Sequence, residues 1–139
     1  MPTENIRSTA REFFMEQDRR KGPLSPTLCT SDYTSTIGSS PPMDLAGHSA
    51  FGVMFYQGFP DIYHTLDDVI VEDNTAAIRF TLKGTHTGEF MGIPPTGKRV
   101  EVTAIAIQHF VDGKIARLWG EFDQLGLLQQ LGVVPGLEA

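Results

Sequence analysis

Residues 98–132 read KRVEVTAIAIQHFVDGKIARLWGEFDQLGLLQQLG, and the division of this run decides the fold. The pieces "KRVEVTAIAIQHF" and "KIARLWGEFD" are rich in β-branched and aromatic residues, and Val111-Asp112-Gly113 joins them. Asp-Gly between two such runs is a strong short-range hairpin signal, so two antiparallel strands are expected. Leu125, Leu128 and Leu131 then fall at helical spacing over Gln124 to Leu131, with Gly132 placed as a C-terminal stop. Strand side chains alternate between faces. Ile115, Arg117, Trp119, Glu121 and Asp123 are therefore expected on one face, and Ile105, Ile107, His109 and Val111 share a face on the partner strand.

Upstream, "IYHTLDDVIVED" and "TAAIRFTLKGT" flank an acidic Asp73-Asn74 turn and predict a second hairpin. Helices come before the strands. Ile6, Ala10, Phe13 and Phe14 lie at helical spacing between Thr3 and Arg20, where "KGP" ends the pattern. From His48 to Gly58, Phe51, Met54 and Phe55 form another apolar stripe, broken by "GFPD". A short helical piece is expected after "LSPTL", and "YTSTIGSSPPMDLAG" reads mostly as loop, with room for a short strand around Tyr33. Helices segregated from an antiparallel sheet must bury their stripes against one of its faces, which is the α+β class. A curved sheet wrapped around them would form a cone with a pocket inside. The 139 residues suit a single domain spanning 1–139, without repeat or linker.

Composition narrows the function. A formal charge of −6 argues against a nucleic-acid groove, which carries a basic stripe. Cys29 is the single cysteine, so neither an internal disulfide nor a cysteine metal centre can form. His48, His64, His86 and His109 lie in separate segments without His-x-His or HxxxH spacing, and no metal is expected. Phosphate-loop, nucleophile-elbow and dinucleotide fingerprints are absent, so no cofactor is expected either. No basic segment followed by an apolar one begins the chain and no run of about 18 apolar residues occurs, which predicts a cytoplasmic protein without a membrane partner. What remains is acid/base chemistry by carboxylate and imidazole, with Tyr33 as a further candidate.

Each candidate has a plainer reading beside the chemical one. Aspartate just before a helix is a favoured N-cap, and "DQLGLLQQLG" suits Asp123 to that role. His109 beside Phe110 fits a hydrogen-bonded core histidine as well as a catalyst. Glu121 and Arg117, two positions apart along one strand face, fit a surface ion pair contributing little. Trp119 fits packing as well as ligand contact.

The segments "GTHTGEFMGIPPTGKRVEV" and "HFVDGKIARLWGEFDQLGLLQQLG" closely resemble the SnoaL-like polyketide cyclases. The resemblance runs from about Asp44 to Val133, and the first 43 residues match in general layout only. It implies a cone-shaped α+β barrel of the nuclear transport factor 2-like superfamily, in which homodimers are common. It also implies ring closure of a small hydrophobic polyketide by intramolecular aldol condensation, without metal or cofactor. On this resemblance Asp123 is the pocket acid/base and His109 its companion. The odd-numbered face of the last two strands would line the cavity. Tyr33, Phe55, Ile107, Trp119 and Glu121 would then contact substrate, the apolar ones stripping water from the carboxylate and raising its affinity for a proton. An isomerase, an epoxide hydrolase or a non-catalytic binding protein on the same cone are the alternatives.

Overall fold

Both hairpins form. In the computed structural model, which describes residues 2–135, β2 (Tyr63–Glu72) turns into β3 (Thr75–Thr85) and β4 (Arg99–Val111) turns into β5 (Lys114–Phe122). The second turn has positive φ at Asp112 and Gly113, the geometry that matches the twist of a two-residue hairpin. β3 and β4 pair without interruption from Thr75↔His109 to Thr85↔Arg99 and make the centre of the sheet.

A fifth strand, β1 (Cys29–Ile37), lies parallel to β5, so the order is β1-β5-β4-β3-β2. The strand allowed around Tyr33 within "YTSTIGSSPPMDLAG" forms and is longer than expected, beginning at Cys29. Serine and threonine hide the strand pattern, yet Tyr33 and Ser35 both turn into the core and are almost wholly buried. The helical piece expected after "LSPTL" is only a turn, closed by the Leu28 N–H donating to the Ser25 carbonyl. With β1 and β2 as free edges, the sheet is curved but not closed.

Three helices complete the chain: α1 (Thr3–Arg20), α2 (Leu45–Gly58) and α3 (Gln124–Leu131). α1 lies over β2 and β3 and buries Ile6, Ala10, Phe13, Phe14 and Gln17. Full burial of a side chain such as Phe13 contributes about 1.5–3 kcal/mol. α3 packs on β4 through Leu127 and Leu131, with Leu125 left exposed. Two apolar clusters result. One joins α1 to the middle of the sheet, and the other gathers Tyr56, Phe59, Ile62, Phe90 and the α3 leucines around Val100 and Val102.

Inside and outside are the reverse of the expected faces. Along β4, Val100, Val102, Ala104, Ala106, Gln108 and Phe110 point inward, whereas Ile105, Ile107, His109 and Val111 are exposed on the convex side. β5 does not keep one parity. Phe110 pairs with Ile115 and His109 with Arg117, which leaves Ala116 as the extra residue of a bulge. Ile115 and Leu118 therefore both point inward, and Trp119 faces out.

Candidate active site

The concave face and the helices enclose a cavity of about 90 Å³ between the two clusters, and a second chamber of about 550 Å³ adjoins it. Ile37, Phe51, Phe55, Glu121 and Phe122 border both. The inner chamber is walled by aromatic rings of α1 and α2 and by small residues of the sheet, Ala104, Ala106 and Gly120. Gly120 helps to keep it open, because a Cβ there would stand 3.0 Å from Ile37 Cδ1. The two chambers together are within the range of small-ligand sites, which are mostly apolar with a few placed polar groups. Those groups are Gln17, His48, Tyr56, His64 and Glu121.

His64 is held most firmly. The Asp18 carboxylate, at the end of α1, accepts from the His64 main-chain N–H at 3.0 Å and lies 2.7 Å from its ring Nδ1. The Tyr56 hydroxyl from α2 donates to the same carboxylate. Burial works against ionisation of Asp18, but these hydrogen bonds outweigh it and hold the carboxyl below its ordinary value. Burial, reinforced by the bond to Asp18, pushes the Tyr56 hydroxyl upward, so it keeps its proton and donates. A carboxylate can only accept, so Nδ1 of His64 carries a hydrogen, and in the neutral ring the lone pair is then on Nε2. The ring packs against Phe14 and Phe80, at centroid distances of 5.2 and 5.5 Å.

His48 is the second imidazole in the wall. Its Nδ1 lies 2.9 Å from the Tyr33 hydroxyl, and burial lowers its pKa to about 4, so the ring is neutral near pH 7. Burial also raises the Tyr33 hydroxyl, which stays protonated.

Of the residues picked from the sequence, Phe55 and Glu121 border the cavity. Tyr33 stands behind His48 and reaches the chamber only through that ring. Ile107, His109 and Trp119 lie on the convex face, where the His109 and Trp119 rings meet edge to face at 4.9 Å. Their expected place in the pocket is thereby corrected. The cause is the parity of β4 and the bulge at Ala116. Asp123 is exposed and caps α3: its Oδ1 accepts from the Gly126 N–H at 2.8 Å. Gly126 makes room for it, since a Cβ there would lie 2.0 Å from Oδ2. Arg117 donates to Thr36 Oγ1 at 2.7 Å and stacks over Trp119, in place of the surface pair with Glu121.

Asp18, His48, Tyr56 and His64 were not picked out. A signal for Asp18 existed: it stands four residues after Phe14 and so continues the buried stripe of α1, although "MEQDRR" reads as a solvated end. His64 alternates with Ile62 and Leu66 on the inward side of its strand. Among the described residues, no three His, Cys, Asp or Glu side chains gather as a metal-ligand set. None of the described helices is long and apolar enough to cross a membrane.

Comparison with known proteins agrees with this architecture. Residues 6–131 match the family model for SnoaL-like polyketide cyclases. Aklanonic acid methyl ester cyclase AcmA from Streptomyces galilaeus is 38% identical over 71 residues, 48% of each chain. Nogalonic acid methyl ester cyclase from Streptomyces nogalater is 35% identical over 71 residues, 48% of this chain and 52% of its own. In these matches the chain spans about half the length of the curated relatives. Among solved structures, AclR, a candidate hydroxylase from Streptomyces galilaeus, superposes with a TM-score of 0.89 at 25% identity, over 99% of this chain and 91% of its own. IdmH, a candidate polyketide cyclase from Streptomyces antibioticus, gives 0.82 at 27% identity, over 92% and 99%.

Proposed function

The chain belongs to the SnoaL-like polyketide cyclase family, and from that premise we propose that it closes a ring in a small hydrophobic polyketide-type substrate by acid/base chemistry without a cofactor. The observation that carries this reading is the inner chamber, an apolar hole whose wall holds two imidazoles, with the Glu121 carboxylate at its border. A base there removes a proton from carbon next to a carbonyl, and the enolate attacks a second carbonyl of the same molecule. Walls that fold the flexible chain into one reactive conformer supply much of the rate, since effective molarity can be worth about 7–11 kcal/mol. The reactive end occupies the inner chamber, the rest of the substrate fills the outer one, and Glu121 at their border contacts it.

The resemblance put Asp123 and His109 forward as the acid/base pair. With His109 on the convex face and Asp123 spent on the α3 cap, this work falls to groups that reach the cavity from α1, α2 and β2. The exposed Ile105, Ile107, Val111 and Trp119 on the convex face are proposed as the contact with a second copy of the chain. A single buried cysteine suits a reducing cytoplasm.

Incubation with aklanonic acid methyl ester, followed by chromatography and mass spectrometry, tests the reaction. Ring closure yields a new compound of unchanged mass. The likeness to AclR favours one second reading, hydroxylation, in which dioxygen gives one oxygen to the product and an added two-electron reductant takes the other to water. Recovery of unaltered substrate from a tight complex would instead mark a binding protein.

A further inference from the structure

We propose that His64 is the residue that moves the proton, through Nε2, and that Asp18 is its positioning residue. This rests on the acid/base reading above and names its agent. From β4 and β5, Ala104, Ala106, Leu118 and Gly120 line the inner chamber and cannot exchange a proton, while Glu121 stands at the border with the outer chamber. His64 can exchange one. Its Nδ1 is tied to Asp18, while Nε2 has no hydrogen-bond partner among the described residues and the ring borders the cavity. Asp18 accepts from three donors at once: the ring N–H, the main-chain N–H of the same residue and the Tyr56 hydroxyl. That fixes ring orientation and tautomer together, as a base needs when the atom it must meet is a carbon that forms weak hydrogen bonds.

The step balances without a co-reactant. The Nε2 lone pair forms an N–H bond as the substrate C–H bond breaks, and the C–H electron pair becomes the enolate. The enolate carbon then bonds to the second carbonyl carbon, whose π pair moves to oxygen. That oxygen takes the proton back from Nε2. The ring returns to neutral, the mass is unchanged, and the Asp18 carboxylate faces the charge while it lasts.

The test uses α-tetralone, a bicyclic ketone that can lose a proton but cannot close a ring. In D₂O the full chain is expected to speed deuterium entry beside the carbonyl, read by proton NMR. His64→Gln should lower that rate by about 100-fold or more. Asp18→Asn should lower it by about 10-fold with the Kd for the ketone unchanged, a split that a merely structural role would not give. Added imidazole should partly restore exchange to His64→Ala. Exchange at the wild-type rate in His64→Gln, or no acceleration by the wild type, overturns the proposal. Should the variants fail to fold, long-range ¹H–¹⁵N spectra of the wild type decide: a hydrogen on Nδ1 and an Nε2 resonance that shifts with ketone support it, and a hydrogen on Nε2 contradicts it. The cyclase reading fails separately, when the chain exchanges the ketone proton but leaves aklanonic acid methyl ester open.

Discussion

Asp18 on α1 holds His64 on β2 at two points, ring and backbone, across 46 positions of sequence. Replacing Asp18 by alanine leaves the Tyr56 hydroxyl and both His64 N–H groups without their acceptor in a half-buried place. Such loss costs about 1–3 kcal/mol per group left unsatisfied. Urea denaturation at pH 7 should register a loss of this order for Asp18→Ala and a smaller one for Asp18→Asn, which keeps an acceptor oxygen.

Acid should weaken the fold in two windows. His48 is held neutral, its pKa lowered by burial to about 4 from an ordinary 6.5, so its contribution is complete above pH 6.5 and is lost as pH falls toward 4. The unfolded chain binds the extra proton across that range, and stability falls with a slope of up to about 1.4 kcal/mol per pH unit. Asp18 has its pKa lowered too, so its share is present above the ordinary aspartate value near 3.8 and goes as pH drops below it. Denaturation midpoints from pH 7 to 3 should show both. His48→Gln should flatten the first window and leave the second.

The cap on α3 makes a prediction about coupling. Asp123→Ala removes the acceptor for the Gly126 N–H, at about 1 kcal/mol, while Asp123→Asn, also a good N-cap, should cost little. Gly126→Ala should destabilise the wild type, because the new Cβ meets the carboxylate. In the Asp123→Ala background the same change should be neutral or stabilising, since alanine is the better helix former by about 1 kcal/mol. Thermal melts of the four proteins in the cycle check this. A strictly additive cycle would contradict the packing of Asp123 over Gly126.

Filling the inner chamber should separate binding from folding. Ala104→Leu projects into it, and overpacking of this kind costs about 1–3 kcal/mol. The variant should stay folded at room temperature and lose binding of α-tetralone. His109→Ala, on the convex face, should leave binding as it is. Ile107→Glu should shift a dimer toward monomer in light scattering without altering ligand affinity.

The sequence shows the helices and hairpins directly, because α1, α3 and the four long strands carry strong periodicity and clear turn residues. β1 was harder to see, since Tyr33 and Ser35 point inward among serines and threonines. The sheet faces misled for a physical reason. The aromatic rings of α1 and α2 fill the concave side, so the strands beneath them carry Ala104, Ala106 and Gly120, and the bulky Ile107 and Trp119 stand outside. The resemblance turns the odd-numbered face toward the cavity, and the bulge at Ala116 breaks the strand parity on which that face is counted. The Asp18–His64 pair joins segments 46 residues apart and could not be found by spacing.

The most direct measurement is single-turnover conversion of aklanonic acid methyl ester by the wild type, His64→Gln and Asp123→Asn, followed by chromatography with mass detection. Wild type and Asp123→Asn should form one ring-closed product of unchanged mass at similar rates, and His64→Gln should form almost none. Conversion by His64→Gln alongside an inactive Asp123→Asn would contradict the account.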